Sequence, residues 1–174
     1  KNQLAESQEK EVNVFSPALF KQANKSYEEA IKWASSDNPK GNTFAQNGLS
    51  QLTTANTNAE QARYILEEVV NARDKTVAAG ANISQPDKFN KAEKDFLVLT
   101  TLIESGKVGK AKDGRTEVLK TYEQLELLAL KGDTVEHAKT ALVDAKKHNV
   151  DDHAPKTLRL AEEEYQLALD VLDA

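Results

Sequence analysis

A chain of 174 residues with 29 % charged, 39 % hydrophobic and only 6 % aromatic side chains is too lean for one thick globular core, and it suits slender helical assemblies. A formal net charge of −5 argues against a nucleic-acid partner, where a basic face is expected. The absence of cysteine excludes disulfides, thiolate nucleophiles and cysteine zinc sites, and no apolar run approaches the roughly 20 residues that span a bilayer.

Ala, Leu, Glu, Lys and Gln dominate, all good helix formers, and no segment reads as a β-strand. In chain order, residues 1–12 resemble the tail of a preceding helix, with a connector to residue 16. Pro17 then opens a helix with Ser16 as its expected N-cap, because proline at the first turn gives up an N–H that has no helical partner. The turn-rich "SSDNPKGNT" (35–43) predicts a break, followed by a long helix from about Ala45 to Ala79 in which the polar stretch 46–60 is a candidate for bending. Gly80 ends that helix and Pro86 opens another. A second break is expected over "SGKVGKAKDG" (105–114), with the basic, glycine-rich "GKVGKAKDGR" (106–115) reading as a flexible, solvated loop, and a second long helix over about Arg115–His148, with a kink at Gly132–Asp133. Asn149 ends it and Pro155 opens a last helix. Gly80 and Asn149 are the residue types that best tolerate the left-handed backbone at a helix end. At 1.5 Å per residue each long helix would measure on the order of 50 Å.

Pro17, Pro86 and Pro155 are separated by 69 residues in both intervals, 86 − 17 and 155 − 86. Counting from each proline, the third residue is Phe20, Phe89 or Leu158, and the sixth is Ala23, Ala92 or Ala161. The tenth is Tyr27, Phe96 or Tyr165, and the thirteenth is Ala30, Leu99 or Ala168. This spacing is the apolar stripe of an amphipathic helix, and alanine at the sixth position would let a neighbouring helix come close. The expectation is an all-α fold: an extended antiparallel helical bundle or helical-hairpin array with a 69-residue period, alternating short and long helices. Repeat 1 covers about 17–85, repeat 2 about 86–154, and a partial repeat 3 covers 155–174, all within one helical region 1–174. The partial copy, the lack of Met and the start at Lys1 lead us to expect a piece of a larger protein.

The segments "AGANISQPDKFNKAEKDF" (79–96), "NVDDHAPKTLRLAEEEY" (149–165) and "EVNVFSPALFKQANKSYEEA" (11–30) resemble helical regions of bacterial envelope lipoproteins of the DUF4398 type. They also resemble the helical N-terminal parts of OmpA-family proteins. The resemblance covers the three proline-led helices, around a third of the chain. It implies a periplasmic protein, anchored at the outer membrane through an upstream lipidated segment, whose helices form a spacer or docking arm with protein partners. Peptidoglycan would be bound only through a separate domain, none of whose residues are in this sequence.

Candidate chemistry is sparse. His148, Asp151, Asp152 and His153, with Asp144 one turn earlier, could ligate a divalent metal. The competing reading is helix capping, with histidine favoured at a C-terminus and acids at an N-terminus, and we assign no metal or cofactor. The acid pairs Glu28/Glu29, Glu67/Glu68 and the run 162–164 could in principle do acid–base work but fall on polar faces. His137 reads as a half-buried interface residue. Tyr27, Trp33, Phe96 and Tyr165 lie on the apolar stripe and read as core, with a ligand groove lined by them as the lesser alternative. No phosphate-binding loop, catalytic-triad order, HExxH or EF-hand pattern is present. The sequence therefore points to a non-enzymatic structural or interaction module, with a helical groove for a ligand or peptide as the alternative.

Overall fold

The computed structural model describes residues 2–34 and 38–173, and among them are ten helices and no strand. They are α1 (Asn2–Glu9), α2 (Val12–Phe15), α3 (Pro17–Ala34), α4 (Pro39–Ile65), α5 (Glu67–Ala78), α6 (Ala81–Ser84), α7 (Pro86–Glu104), α8 (Val108–Lys147), α9 (Val150–His153) and α10 (Pro155–Asp173). The fold is all-helical.

Three joints share one local geometry. Glu11, Gly80 and Asn149 each adopt left-handed backbone, with φ of 53°, 77° and 54°. Each ends the preceding helix with an N–H donated three residues back, to the carbonyls of Gln8, Val77 and Lys146. One helical turn follows (α2, α6, α9). Ser16, Gln85 and Ala154 then take extended φ near −140° and donate their N–H to Val12, Ala81 and Val150 at 2.8, 2.8 and 2.7 Å. Pro17, Pro86 and Pro155 open the next helix immediately afterwards. The expected short connector is therefore a single helical turn between a left-handed stop and a proline start. At Glu11 a side-chain-bearing residue occupies the left-handed region where the second joint has glycine.

The second joint tests how much of this depends on backbone alone. A Cβ built on Gly80 meets no atom within 4 Å, so a substitution there adds only the cost of φ 77°. Gly80→Val is expected to destabilise by roughly 1–2 kcal/mol, and Gly80→Asn by less than half of that, since asparagine tolerates this conformation. Urea unfolding curves of the two variants check the ordering. Equal losses would mean that the side chain, not φ, sets the cost.

The helices run past the breaks expected from composition. The first long helix starts at Pro39 with the Asn38 side chain accepting from Lys40 N–H at 3.0 Å, so of the expected break 35–43 only residues 35–38 precede it, and 35–37 lie outside the described residues. It continues through the polar stretch 46–60, because Gly48, Leu52, Ala55 and Ala59 are buried. At Gly48 the backbone of α4 approaches α3 so closely that a Cβ would stand 3.2 Å from Ser26 Cβ and 3.4 Å from the Ala23 carbonyl. The second long helix starts at Val108, not near Arg115, so the expected break 105–114 and solvated loop 106–115 are helical from that residue on. Ala111 is buried, and Gly114 leaves room for Leu99 of α7, whose Cδ2 would lie 3.1 Å from an added Cβ. Packing has overridden weak helix propensity in both places. The expected kink at Gly132–Asp133 does not occur: α8 is continuous over 40 residues. One glycine costs a helix about 1 kcal/mol, too little to break one flanked by good formers. The interruption falls instead at Leu66, between α4 and α5, where φ −108° and ψ 21° depart from helix while the hydrogen bonds Leu66→Ala62 and Val70→Leu66 persist.

The chain divides into two compact units, residues 1–71 with 91–120, and 72–90 with 121–174. In the first, α3 and α4 form an antiparallel hairpin, and the core collects Val12, Phe15, Ala23, Leu52, Leu66, Phe96 and Leu99. In the second, the core is smaller: Thr76, Ala81, Tyr122, Leu125 and Ala129 are buried, with the Phe89 and Tyr122 rings edge-on at 6.4 Å. Thr76 Oγ1 lies 2.9 Å from the Tyr122 carbonyl, joining α5 to α8 within that unit.

Candidate functional site

The most elaborate constellation of side chains is built around the first joint. Glu104, the last residue of α7, presents its carboxylate to the start of α3. It accepts from Ser16 Oγ at 2.7 Å, Ala18 N–H at 2.9 Å and Leu19 N–H at 2.8 Å. Ser16 is therefore not the N-cap of α3. Its hydroxyl donates to Glu104, and the capping oxygens come from a residue 88 positions away. An acid at a helix C-terminus is opposed by the helix dipole, and an acid at an N-terminus is favoured by it. Glu104 lies at both, which is the signal in "TLIESG" that local reading passes over.

The rest of the joint is tied in the same way. Thr100 Oγ1 lies 2.7 Å from the Val14 carbonyl. The Phe15 and Phe96 rings meet edge to face at 5.6 Å and 88°. The Arg63 guanidinium stands 4.0 Å from the Phe15 ring centroid and also donates to the Lys10 carbonyl. Ser7 and Asn56 exchange hydrogen bonds between α1 and α4. Ser16, Thr100, Arg63, Ser7 and Asn56 thus each bond to a distant segment of the same unit.

The residues at matching distances from the three prolines fare differently along the chain. Ala23 and Ala92 are buried, whereas Ala161 is exposed. Phe96 is buried, while Tyr27 and Tyr165 are half-buried. At the third position Phe20 and Phe89 are half-buried and Leu158 is buried. Beside α3 lies a groove of about 680 Å³ lined by Leu4, Tyr27, Ile31, Trp33, Leu49 and Leu52, among others, with the Lys40 ammonium 5.3 Å from the Trp33 ring centroid. Trp33 is thus a groove wall and not a core residue.

No group of three potential metal ligands converges among the described residues. His148 Nδ1 lies 2.8 Å from the Asp144 carbonyl and 3.5 Å from its carboxylate, an arrangement that closes the end of α8. Asp151, Asp152 and His153 follow in α9 and are exposed. His137 is also exposed, 3.5 Å from Asp133, so the half-buried interface role expected for it is not realised. The acid pairs are dispersed. Glu28, Glu67, Glu68, Glu163 and Glu164 are exposed, while Glu29 pairs with Lys32 and Glu162 with Lys146, each at 2.5 Å. No helix among the described residues is long and apolar enough to cross a membrane. Compared with protein-family models, with curated proteins and with solved structures, the chain matches none.

Proposed function

We propose that this chain is a non-enzymatic structural and interaction module, in which a 69-residue helical unit is repeated to set a distance. The units would form an extended antiparallel bundle or hairpin array, acting as a spacer or scaffold with protein partners along its helix faces. One observation carries the reading: the left-handed stop, the single turn and the proline start recur at 11–17, 80–86 and 149–155, with matching backbone hydrogen bonds. The hydrogen bonds that tie distant helices together at the first joint support it as well. The bacterial-envelope setting, with outer-membrane anchoring through a lipidated segment, rests on the sequence resemblance alone.

If the unit is a true repeat, a second copy of residues 86–154 inserted after Ala154 keeps every joint in register. The insert is expected to fold with unchanged helicity per residue and to add one fixed increment to the largest dimension seen by small-angle X-ray scattering. An inserted segment that unfolds, or that leaves the dimension unchanged, would refute the spacer. Fractionation of the native cells tests the setting, and a cytosolic protein would rule out the envelope. The groove beside Trp33 favours a second reading, a helical module that binds an apolar peptide or ligand. A Trp33 emission shift on adding such a peptide would favour it over the plain spacer.

A further inference from the structure

The chain has one Asn–Gly pair, Asn47–Gly48, and it lies inside α4. Such a pair holds a reaction within itself. The Gly48 backbone nitrogen can close a five-membered ring on the Asn47 side-chain carbonyl carbon, and glycine, with no Cβ, leaves that nitrogen open to approach and its backbone free to turn. The helix holds the reacting atoms apart. Helical backbone, with ψ of about −42°, does not allow the turn about the Asn47 Cα–C bond that ring closure needs. The Cα–Cβ bond of a helical residue tilts toward the N-terminus, away from the nitrogen that follows. As an interior residue of α4, Gly48 also donates its N–H to the carbonyl one turn back.

Packing against α3 keeps this part of α4 closed. Gly48 is buried, and a Cβ on it would stand 3.2 Å from Ser26 Cβ and 3.4 Å from the Ala23 carbonyl. Leu52, one turn on, is buried as well, and Ser26 Oγ donates to Gln51 Oε1 at 2.8 Å. The close approach of α3 accounts for glycine at 48, and that glycine is what makes Asn47 reactive.

We propose that Asn47 is a self-modification site gated by the α3–α4 hairpin: it reacts when α4 opens there, and its product keeps the hairpin from closing again. The Gly48 nitrogen gives its proton to hydroxide from the solvent and attacks Asn47 Cγ. The Cγ–Nδ2 bond breaks, and the amide nitrogen takes a proton from water and leaves as ammonia. Nothing is oxidised or reduced. Water then opens the cyclic imide. Cleavage at Cγ gives aspartate, and cleavage at the α-carbonyl carbon gives isoaspartate, whose main chain runs through Cβ and Cγ and is one carbon longer. That extra atom enlarges every helical hydrogen-bonded ring that spans it. It also shifts Gly48 out of register with Ala23 and Ser26, where close packing leaves no slack. Aspartate at 47 changes only the charge. The site is thus a one-way mark on chains whose first hairpin has opened.

Peptide mapping by mass spectrometry tests this on the full chain, aged in mildly alkaline buffer with and without urea above the unfolding transition. In urea, Asn47 should convert before any other asparagine. Without urea it should convert at least about a hundredfold more slowly, at a rate set by the fraction of chains open at α4. Leu52→Ala loosens the hairpin without touching the reacting pair, and should raise the rate without urea at least about tenfold. Asn47→Gln should slow conversion at 47 in urea, because its longer side chain must close a larger ring. The isolated isoaspartate chain, returned to native buffer, should show reduced far-UV circular dichroism and a shifted Trp33 emission, whereas Asn47→Asp should match wild type in both. Equal rates with and without urea overturn the proposal. So do faster conversion at another asparagine, a Leu52→Ala rate no higher than wild type, or an isoaspartate chain that refolds as Asn47→Asp does. None of these outcomes bears on the spacer reading, which the insertion tests separately.

Discussion

Phe96→Ala is expected to lower the stability of the first unit by about 3–5 kcal/mol, the usual cost of removing a buried phenylalanine ring. Phe96 has no solvent exposure, and its ring is the edge-to-face partner of Phe15 at 5.6 Å. Aromatic pairs in this geometry are worth about 0.5–1.5 kcal/mol beyond their burial. Its removal strips the joint of the surface on which α2 rests, and the fixed helices around it have little freedom to collapse into the gap. Set against total stabilities of about 5–15 kcal/mol, the loss would leave the unit marginal. Trp33, the only tryptophan, belongs to the same unit, so its emission during urea unfolding reads the effect directly. A loss below about 1 kcal/mol, the level of an average substitution, would show that the Phe15–Phe96 contact is not the core of the joint.

Glu104→Ala is expected to cost about 2–3 kcal/mol, because it leaves the buried Ser16 hydroxyl and the Ala18 and Leu19 N–H groups without their acceptor. Glu104→Gln keeps an amide oxygen in reach of those donors but loses the charge that faces the helix dipole. Its cost should be nearer 1 kcal/mol. The same Trp33 unfolding assay ranks them. Combining Glu104→Ala with Ser16→Ala should cost less than the sum of the single changes, by about 0.5 kcal/mol or more, since the hydroxyl no longer needs an acceptor. Losses within about 0.5 kcal/mol of wild type for both single variants would make Glu104 an ordinary surface residue.

These two residues were not equally visible in the sequence. Phe96 could be placed on an apolar stripe from spacing alone, because helical periodicity is a local property. Glu104 could not be assigned its role, because the N–H groups it caps lie 85 and 86 positions back along the chain. Glu11 was hidden for a related reason. Glutamate gives no hint of left-handed backbone, and the fold around the joint is what requires it there. The misplaced breaks near 39 and 108 share one cause. Glycine, asparagine and threonine weaken a helix by tenths of a kcal/mol to about 1 kcal/mol each, which the burial of Leu52, Ala55, Ala59 and Ala111 outweighs. Composition registers the first quantity and not the second.

By itself, then, the sequence determined the helical class, the proline starts at 17, 86 and 155, and the left-handed stops at Gly80 and Asn149. Each of these follows from sterics within a few bonds. Tertiary structure alone decided that a carboxylate at the end of α7 caps α3, that Ser16 donates instead of capping, and that helix runs through stretches that read as loops. Ser16 and Glu104 meet only once the chain has folded, because a contact between residues 88 positions apart depends on packing that no local pattern encodes.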